Sequence, residues 1–433
     1  MTEDHGLART AKLSTRPQDD GLLATTPDFV ARRFSRRAFL GGSVATAATL
    51  ASASLLSPAM ALDNSQSVNL SLPAPTGPYR IGTTSLYLVD LSRQDPFVPT
   101  HPVRELMIQL WYPTRNGDEQ HPASYMPDGA ARHFAAVTLP QWVNQTVPAE
   151  PFLALQTHGR DSAPILRVDG GLPVVLFSPG YGLDRSSTTG LAEDLASSGF
   201  VVATIDHTHD SGEVEFPDGR VEVNTIGLPS PSQLFELIQV RVADARFVLD
   251  QLEHLNAPGP FQNTLDLSRI GMFGHSAGGA TTAETMLEDG RVKVGVNLDG
   301  TLAGTVVRTG LDRPFLLFGG DQHDSAQGAT DPAWQQFWAH LGSWHQDIVL
   351  PTAGHLTMTD ICLFGGPGEP FDAAGHVPPR AYAGTFGSIN PLRAIAIERA
   401  YLFAMFDRFL RDGDGSPLDG PSPAFPEIRF EQP

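Results

Sequence analysis

The spacing of hydrophobic residues along this chain changes near residue 170. In 105–112, Leu106, Ile108 and Leu110 alternate with Met107, Gln109 and Trp111, and a β-like run at 79–89 precedes them. Two such runs predict an antiparallel hairpin at a sheet edge. From residue 173 onward the apolar runs become short and continuous, at 173–177, 200–205, 270–273, 292–298, 315–318 and 348–350, each bounded by Gly, Pro, Asp or Ser. Strands without a polar face are covered on both sides, as in a parallel sheet. Between them the period becomes helical. In 232–252, Leu234, Leu237, Ile238, Ala245, Leu249 and Leu252 form one stripe. Ser230 stands as its cap, with Pro231 at the first helical position and Gln233 at the third. Another apolar helix is expected over 391–410. The alternation predicts an α/β fold with a doubly wound, mostly parallel sheet, an antiparallel N-terminal edge and helices on both faces. The Gly/Pro-rich segment 365–390 is too long for a structureless loop in a compact domain and reads as a functional loop or lid.

With 433 residues, 41% hydrophobic and 18% charged, the chain can bury one large core or two smaller ones. Its formal charge of −19 leaves no basic surface for nucleic acid or an anionic membrane, and a neutral or apolar substrate fits better. The single cysteine, Cys362, excludes an intramolecular disulfide and a Cys-based zinc site. It reads as a small buried hydrophobe. The first 61 residues carry an address. Ser35-Arg36-Arg37-Ala38-Phe39-Leu40 heads an uncharged stretch over 38–56, closed by Ala59-Met60-Ala61. This is the order of a twin-arginine signal peptide cleaved after Ala61, which would leave 62–433 as the exported catalytic domain. The rival reading, an uncleaved anchor, suffers from the weak hydrophobicity of an Ala/Ser/Thr/Gly-rich stretch. Cleavage would leave a charge of −21 and no membrane span. The twin-arginine translocase, the partner this implies, carries proteins that are already folded, in keeping with the lack of a cysteine pair.

The strongest chemical signal is Gly274-His275-Ser276-Ala277-Gly278, between the apolar run 270–273 and an Ala/Thr-rich helical stretch. A serine on so sharp a strand-to-helix turn needs small residues two positions either side, and gains an exposed hydroxyl. The same turn leaves the Ala277 N–H at a helix N-terminus, free to bind an oxyanion. A second donor is expected after the strand 173–177, where Ser178-Pro179-Gly180-Tyr181-Gly182 offers the N–H of Tyr181. The base must lie beyond Ser276, and His355, in Thr352-Ala353-Gly354-His355 after the run 348–350, has the position. His323, His340, His345 and His376 read as solvated surface histidines. Two carboxylates compete for the acid: Asp299 ends the strand 292–298, and Asp321 ends the next one. The commoner arrangement favours Asp321, and chain order leaves both open. His207, His209 and Asp210 cluster after a strand end, but at a spacing poorly suited to one metal ion. The serine chemistry calls for neither a metal nor an organic cofactor.

The chain resembles the plasma-type platelet-activating-factor acetylhydrolases and their bacterial relatives, which have the α/β-hydrolase fold. The resemblance runs through Leu72-Pro73-Ala74-Pro75-Thr76-Gly77-Pro78-Tyr79, Arg104-Glu105-Leu106-Met107 leading to Trp111-Tyr112-Pro113, and Phe177 to Gly182. It continues through Gly199-Phe200-Val201-Val202 to Asp206-His207, Arg241-Val242-Ala243-Asp244, the serine motif to Thr281, Asn297-Leu298-Asp299-Gly300, Ala353-Gly354-His355 and Phe425-Pro426-Glu427-Ile428. It implies a secreted serine esterase acting on short-acyl, phospholipid-like esters. Asp299 is then the acid, His355 the base, and Tyr181 and Ala277 the oxyanion donors. Pro179-Gly180 departs from the His-Gly of the animal members and matches the Pro-Gly-Tyr of bacterial lipases and polyester hydrolases, which keeps a broader carboxylesterase in play. An inactive hydrolase fold acting as a binding module is the reading from another class.

Overall fold

The computed structural model describes residues 68–431 apart from 116, 118, 144–146, 324–330 and 374–381, so the signal peptide expected over 1–61 lies outside the described residues. In chain order the strands are β1 Arg80–Asp90, β2 Arg104–Thr114, β3 Pro122–Ser124, β4 Gln156–Asp161, β5 Leu172–Ser178, β6 Val201–Asp206 and β7 Glu213–Glu215. They continue with β8 Val221–Val223, β9 Leu265–His275, β10 Val292–Leu298, β11 Phe315–Gly319, β12 His345–Val349 and β13 Arg429–Glu431. Eleven of them form one sheet in the order β13-β12-β11-β10-β9-β5-β6-β2-β1-β4-β3, and β7 and β8 form a separate hairpin. Strands β6, β5, β9, β10, β11 and β12 run parallel.

Every residue of β5 is buried, and its side chains divide between two cores by the strand period. Val175 and Phe177 join one cluster, which the helices Thr189–Ser197 and Pro391–Arg411 complete; Val174 and Leu176 join the other, under Pro231–Leu255 and Ala277–Glu288. Both long helices form where the apolar stripes predict them. Pro231–Leu255 starts on the expected capping box, with Gln233 N donating to Ser230 Oγ (3.4 Å) and Ser230 N to Gln233 Oε1 (3.0 Å). Cys362 is buried, as expected. Among the described residues no helix is long and apolar enough to cross a membrane.

One expectation needs correction. The β1–β2 hairpin is antiparallel but is not the edge: β4 pairs in parallel with β1 and β3 lies outside it. Gln156–Asp161 is mostly polar, so its pairing depends on neighbours that local pattern does not reveal. The described parts of 365–390 contain the helix Pro370–Ala373 and the π-turn Tyr382–Phe386. The later residues are tied down by Ser388 N to Thr352 O (2.8 Å) and by Thr357 Oγ1 to Phe386 O (2.8 Å). Its final stretch thus braces the loop that carries His355.

Sheet order places the site. The chain leaves β5, crosses to β6 on one side, and returns to β9 on the other, so a crevice opens at the carboxyl ends of β5 and β9. Register aligns those ends: Ser178 of β5 pairs with Gly274, and His275 of β9 pairs with Leu298 of β10.

Candidate active site

Ser276 follows β9 and caps the helix Ala277–Glu288 with φ 55° and ψ −122°. Such backbone costs about 1–3 kcal/mol for a non-glycine residue and persists only where the surroundings enforce it. They do so here: a Cβ at Gly278 would lie 1.9 Å from Ser178 O, and one at Gly274 would lie 2.1 Å from Gly278 O. Absent side chains at both positions let the helix start pack against the end of β5. Ser276 N donates to Leu298 O (2.9 Å), which fastens the turn to β10.

Asp299 comes immediately after β10, also left-handed at φ 54°. Its Oδ2 accepts from Nδ1 of His355 at 2.6 Å, while Oδ1 accepts from Gly320 N (2.6 Å) and from Nδ1 of His323 (2.9 Å). Burial alone would raise its pKa, but His323 and His355 override burial and hold the carboxyl well below the usual range. His355 opens a 3₁₀ turn, and its carbonyl accepts from Nε2 of His275 (2.9 Å). Burial, then the proximity of His355, pushes His275 down to about 3. A neutral His275 carries its one proton on Nε2, and its buried Nδ1 has no hydrogen-bond partner among the described residues. Among the described residues Ser276 Oγ and His355 Nε2 do not hydrogen-bond each other, which is common before substrate draws such a pair together.

Asp321, the competing carboxylate, sits after β11 with its N–H donating to Ala353 O (2.8 Å). Among the described residues no histidine bonds it, and burial, followed by the charge of Asp299, raises its pKa. His323 is not the solvated histidine expected from its polar surroundings. Its side chain is only 7% exposed and stacks on Trp334, ring centroids 3.9 Å apart and planes 16° apart. The sequence signal was its place just past the end of an apolar strand, where this sheet presents polar groups.

The loop after β5 is held from behind by Arg241 of the helix Pro231–Leu255. Its guanidinium donates to Pro179 O (2.5 Å) and Gly180 O (3.3 Å) and pairs with Asp210 through Nε (2.5 Å) and Nη2 (2.6 Å). A trans peptide points its C=O and N–H in opposite directions, so fixing Gly180 O turns the Tyr181 N–H away from Arg241. Neither the Tyr181 nor the Ala277 N–H donates to a backbone acceptor among the described residues. The Tyr181 hydroxyl donates to Asn224 Oδ1 (3.0 Å), which links this loop to the segment after β8. Arg241 was legible as a charge on an otherwise apolar stripe, three residues past Ile238 and four before Ala245.

His207, His209 and Asp210 do not gather around one point. His207 bridges Ser178 Oγ (2.9 Å) and Asp244 Oδ2 (3.0 Å), a fully buried relay that no substrate reaches. Asp210 belongs to Arg241. His209 lies between Asp95 (3.0 Å) and Glu222 (3.2 Å), with His101 alongside.

Residues 64–217 and 244–311 match the family described as "Platelet-activating factor acetylhydrolase, isoform II". The chain belongs to this family. Among its curated relatives is a "Probable 1-alkyl-2-acetylglycerophosphocholine esterase" of Arthroderma benhamiae, 29% identical over 379 residues, covering 83% of this chain and 93% of the relative. A "Platelet-activating factor acetylhydrolase" of Canis lupus familiaris is 26% identical over 53% of this chain and 54% of its own. Among solved structures, a ferulic acid esterase from Streptomyces cinnamoneus superposes with a TM-score of 0.73 at 36% identity, covering 84% of this chain and all of that one. The protein is an ester hydrolase of the α/β-hydrolase fold.

Proposed function

We propose that this esterase cleaves short-acyl, phospholipid-like carboxylic esters through an acyl-enzyme on Ser276. The reading rests on one observation above the others: the 2.6 Å Asp299–His355 hydrogen bond at the carboxyl end of the sheet, where Ser276 sits on its strained turn. His355, holding its proton on Nδ1 toward Asp299, takes the Ser276 proton at Nε2 as the oxygen attacks the ester carbonyl. The N–H groups of Tyr181 and Ala277 hold the oxyanion, and the alcohol leaves with the proton from His355. Water, deprotonated by the same imidazole, releases the acid and restores Ser276. Asp299 orients the imidazole and stabilises its charged form. No cofactor or metal enters these steps. The acidic catalytic domain 62–433 reaches its substrate by the twin-arginine route.

Placement of the oxyanion donor makes Arg241 the residue whose change separates loop position from chemistry. Arg241→Lys keeps a cation beside Asp210 but loses the fork to two carbonyls, and is expected to lower kcat roughly ten- to hundredfold with KM less affected. Steady-state kinetics beside a melting curve measure both.

The substrate class is tested by rates on a series of glycerol-type esters of increasing acyl length together with a feruloyl ester. Acetyl and other very short acyl groups are expected to give the highest kcat/KM, with a sharp fall as the chain lengthens. Preference for the feruloyl ester, a reading favoured by the 36% identity to the ferulic acid esterase, would replace the acetylhydrolase assignment while leaving the serine mechanism in place.

A further inference from the structure

Asp299 serves two imidazoles. Besides His355 on Oδ2, it accepts from His323 on Oδ1, and the other nitrogen of His323 faces Oδ2 of Asp331 at 3.4 Å. Asp331 is itself fixed, capping the helix Pro332–Trp338 by accepting from Ala333 N (2.8 Å) and Trp334 N (3.2 Å). Trp334 stacks on the His323 ring and donates from Nε1 to Gly300 O (2.8 Å), the residue next to Asp299. An imidazole with a carboxylate at each nitrogen and an indole on its face is built to hold two protons and a positive charge.

Building on the roles proposed for Asp299 and His355, we infer that His323 is a positioning residue: a fixed cation that locks the Asp299 carboxylate toward His355 and keeps that base free of a proton in more acid solution. Two effects follow from the geometry. Oδ1 accepts from both His323 and Gly320 N, which holds the carboxylate against rotation and, among the described residues, leaves Oδ2 to His355. Two imidazolium ions on one carboxylate also repel each other, so a charged His323 disfavours a second positive charge beside it. Burial by itself would lower the pKa of His323, but the carboxylates of Asp299 and Asp331 lift it to about 10. The other titratable groups facing this cluster are His275, Asp321 and Asp347. His275 is neutral, and Asp321, which faces Asp299, has its pKa raised by burial. Asp347 on β12 is pushed up to about 7, by burial and then by Glu431.

The test is the pH dependence of kcat/KM on a short-acyl ester for wild type, His323→Gln and Trp334→Phe. In His323→Gln the acidic limb is expected to move to higher pH by roughly one unit, because an uncharged amide leaves the full charge of Asp299 to His355. Trp334→Phe, which keeps an aromatic face under His323 but loses the bond to Gly300 O, is expected to melt earlier with the limb unmoved. A His323→Gln limb that stays in place or moves to lower pH overturns the inference, although ester hydrolysis would stand. A wild type that hydrolyses no ester would instead defeat the proposed function. Should the variant not fold, ¹⁵N chemical shifts of the wild-type ring decide: His323 is expected doubly protonated at pH 8, and a neutral ring there overturns its role.

Discussion

Ser276→Ala is expected to lower kcat on a short-acyl ester by about 10⁴- to 10⁶-fold, measured as steady-state turnover beside the wild type. A loss of that size requires that the hydroxyl form a bond to the substrate rather than align it. Folding is expected to survive, because Ser276 Oγ makes no hydrogen bond among the described residues, and the contacts that hold the turn come from backbone. Ser276 N reaches Leu298 O, Gly279 N reaches Ser276 O at 2.9 Å, and Gly278 packs on Ser178. An unchanged melting temperature with turnover gone would separate chemistry from structure. Residual hydrolysis above the uncatalysed rate is expected as well, since the Tyr181 and Ala277 amides remain in place.

Asp299→Asn carries the second large effect, a loss of about 10⁴-fold in kcat, and its cause is specific to this site. Gly320 N and His323 Nδ1 both donate to Oδ1 of Asp299. In the variant these two donors hold the amide oxygen, so the amide NH₂ takes the Oδ2 position facing His355. A donor there pushes the His355 proton from Nδ1 to Nε2, the tautomer that cannot accept from Ser276. The base is then in the wrong form. Asp321→Asn, which bonds no histidine among the described residues and replaces a carboxyl whose pKa is already raised, is expected to stay within about tenfold of wild type. Steady-state kinetics of the two variants side by side give the comparison. If Asp321→Asn lost activity and Asp299→Asn kept it, the acid would have to be reassigned.

Much of this architecture is local in origin and was legible for that reason. Continuous apolar runs marked the buried strands, the stripe through Leu237 and Leu249 marked one long helix, and Ser230 with Gln233 marked its start. The serine turn was readable because its geometry restricts residue types on both sides. Strand β4 was invisible because a polar hexapeptide becomes a strand only through its partners β1 and β3. The choice between Asp299 and Asp321 lay beyond spacing, since each ends a strand of the same parallel run; only the resemblance to the acetylhydrolases favoured the first. In the structure Asp299 is the carboxylate that meets His355. His323 was misread for a related reason. A histidine in polar sequence looks solvated until the fold brings Trp334, Asp331 and Asp299 around it.

Covalent labelling of the protein with a fluorophosphonate, read by intact mass and peptide mapping, tests the central claim most directly. One adduct is expected, on Ser276, formed at a rate that falls sharply in Asp299→Asn and absent in Ser276→Ala. Folded wild-type protein that takes up no label, or takes it up on another residue, would contradict the account.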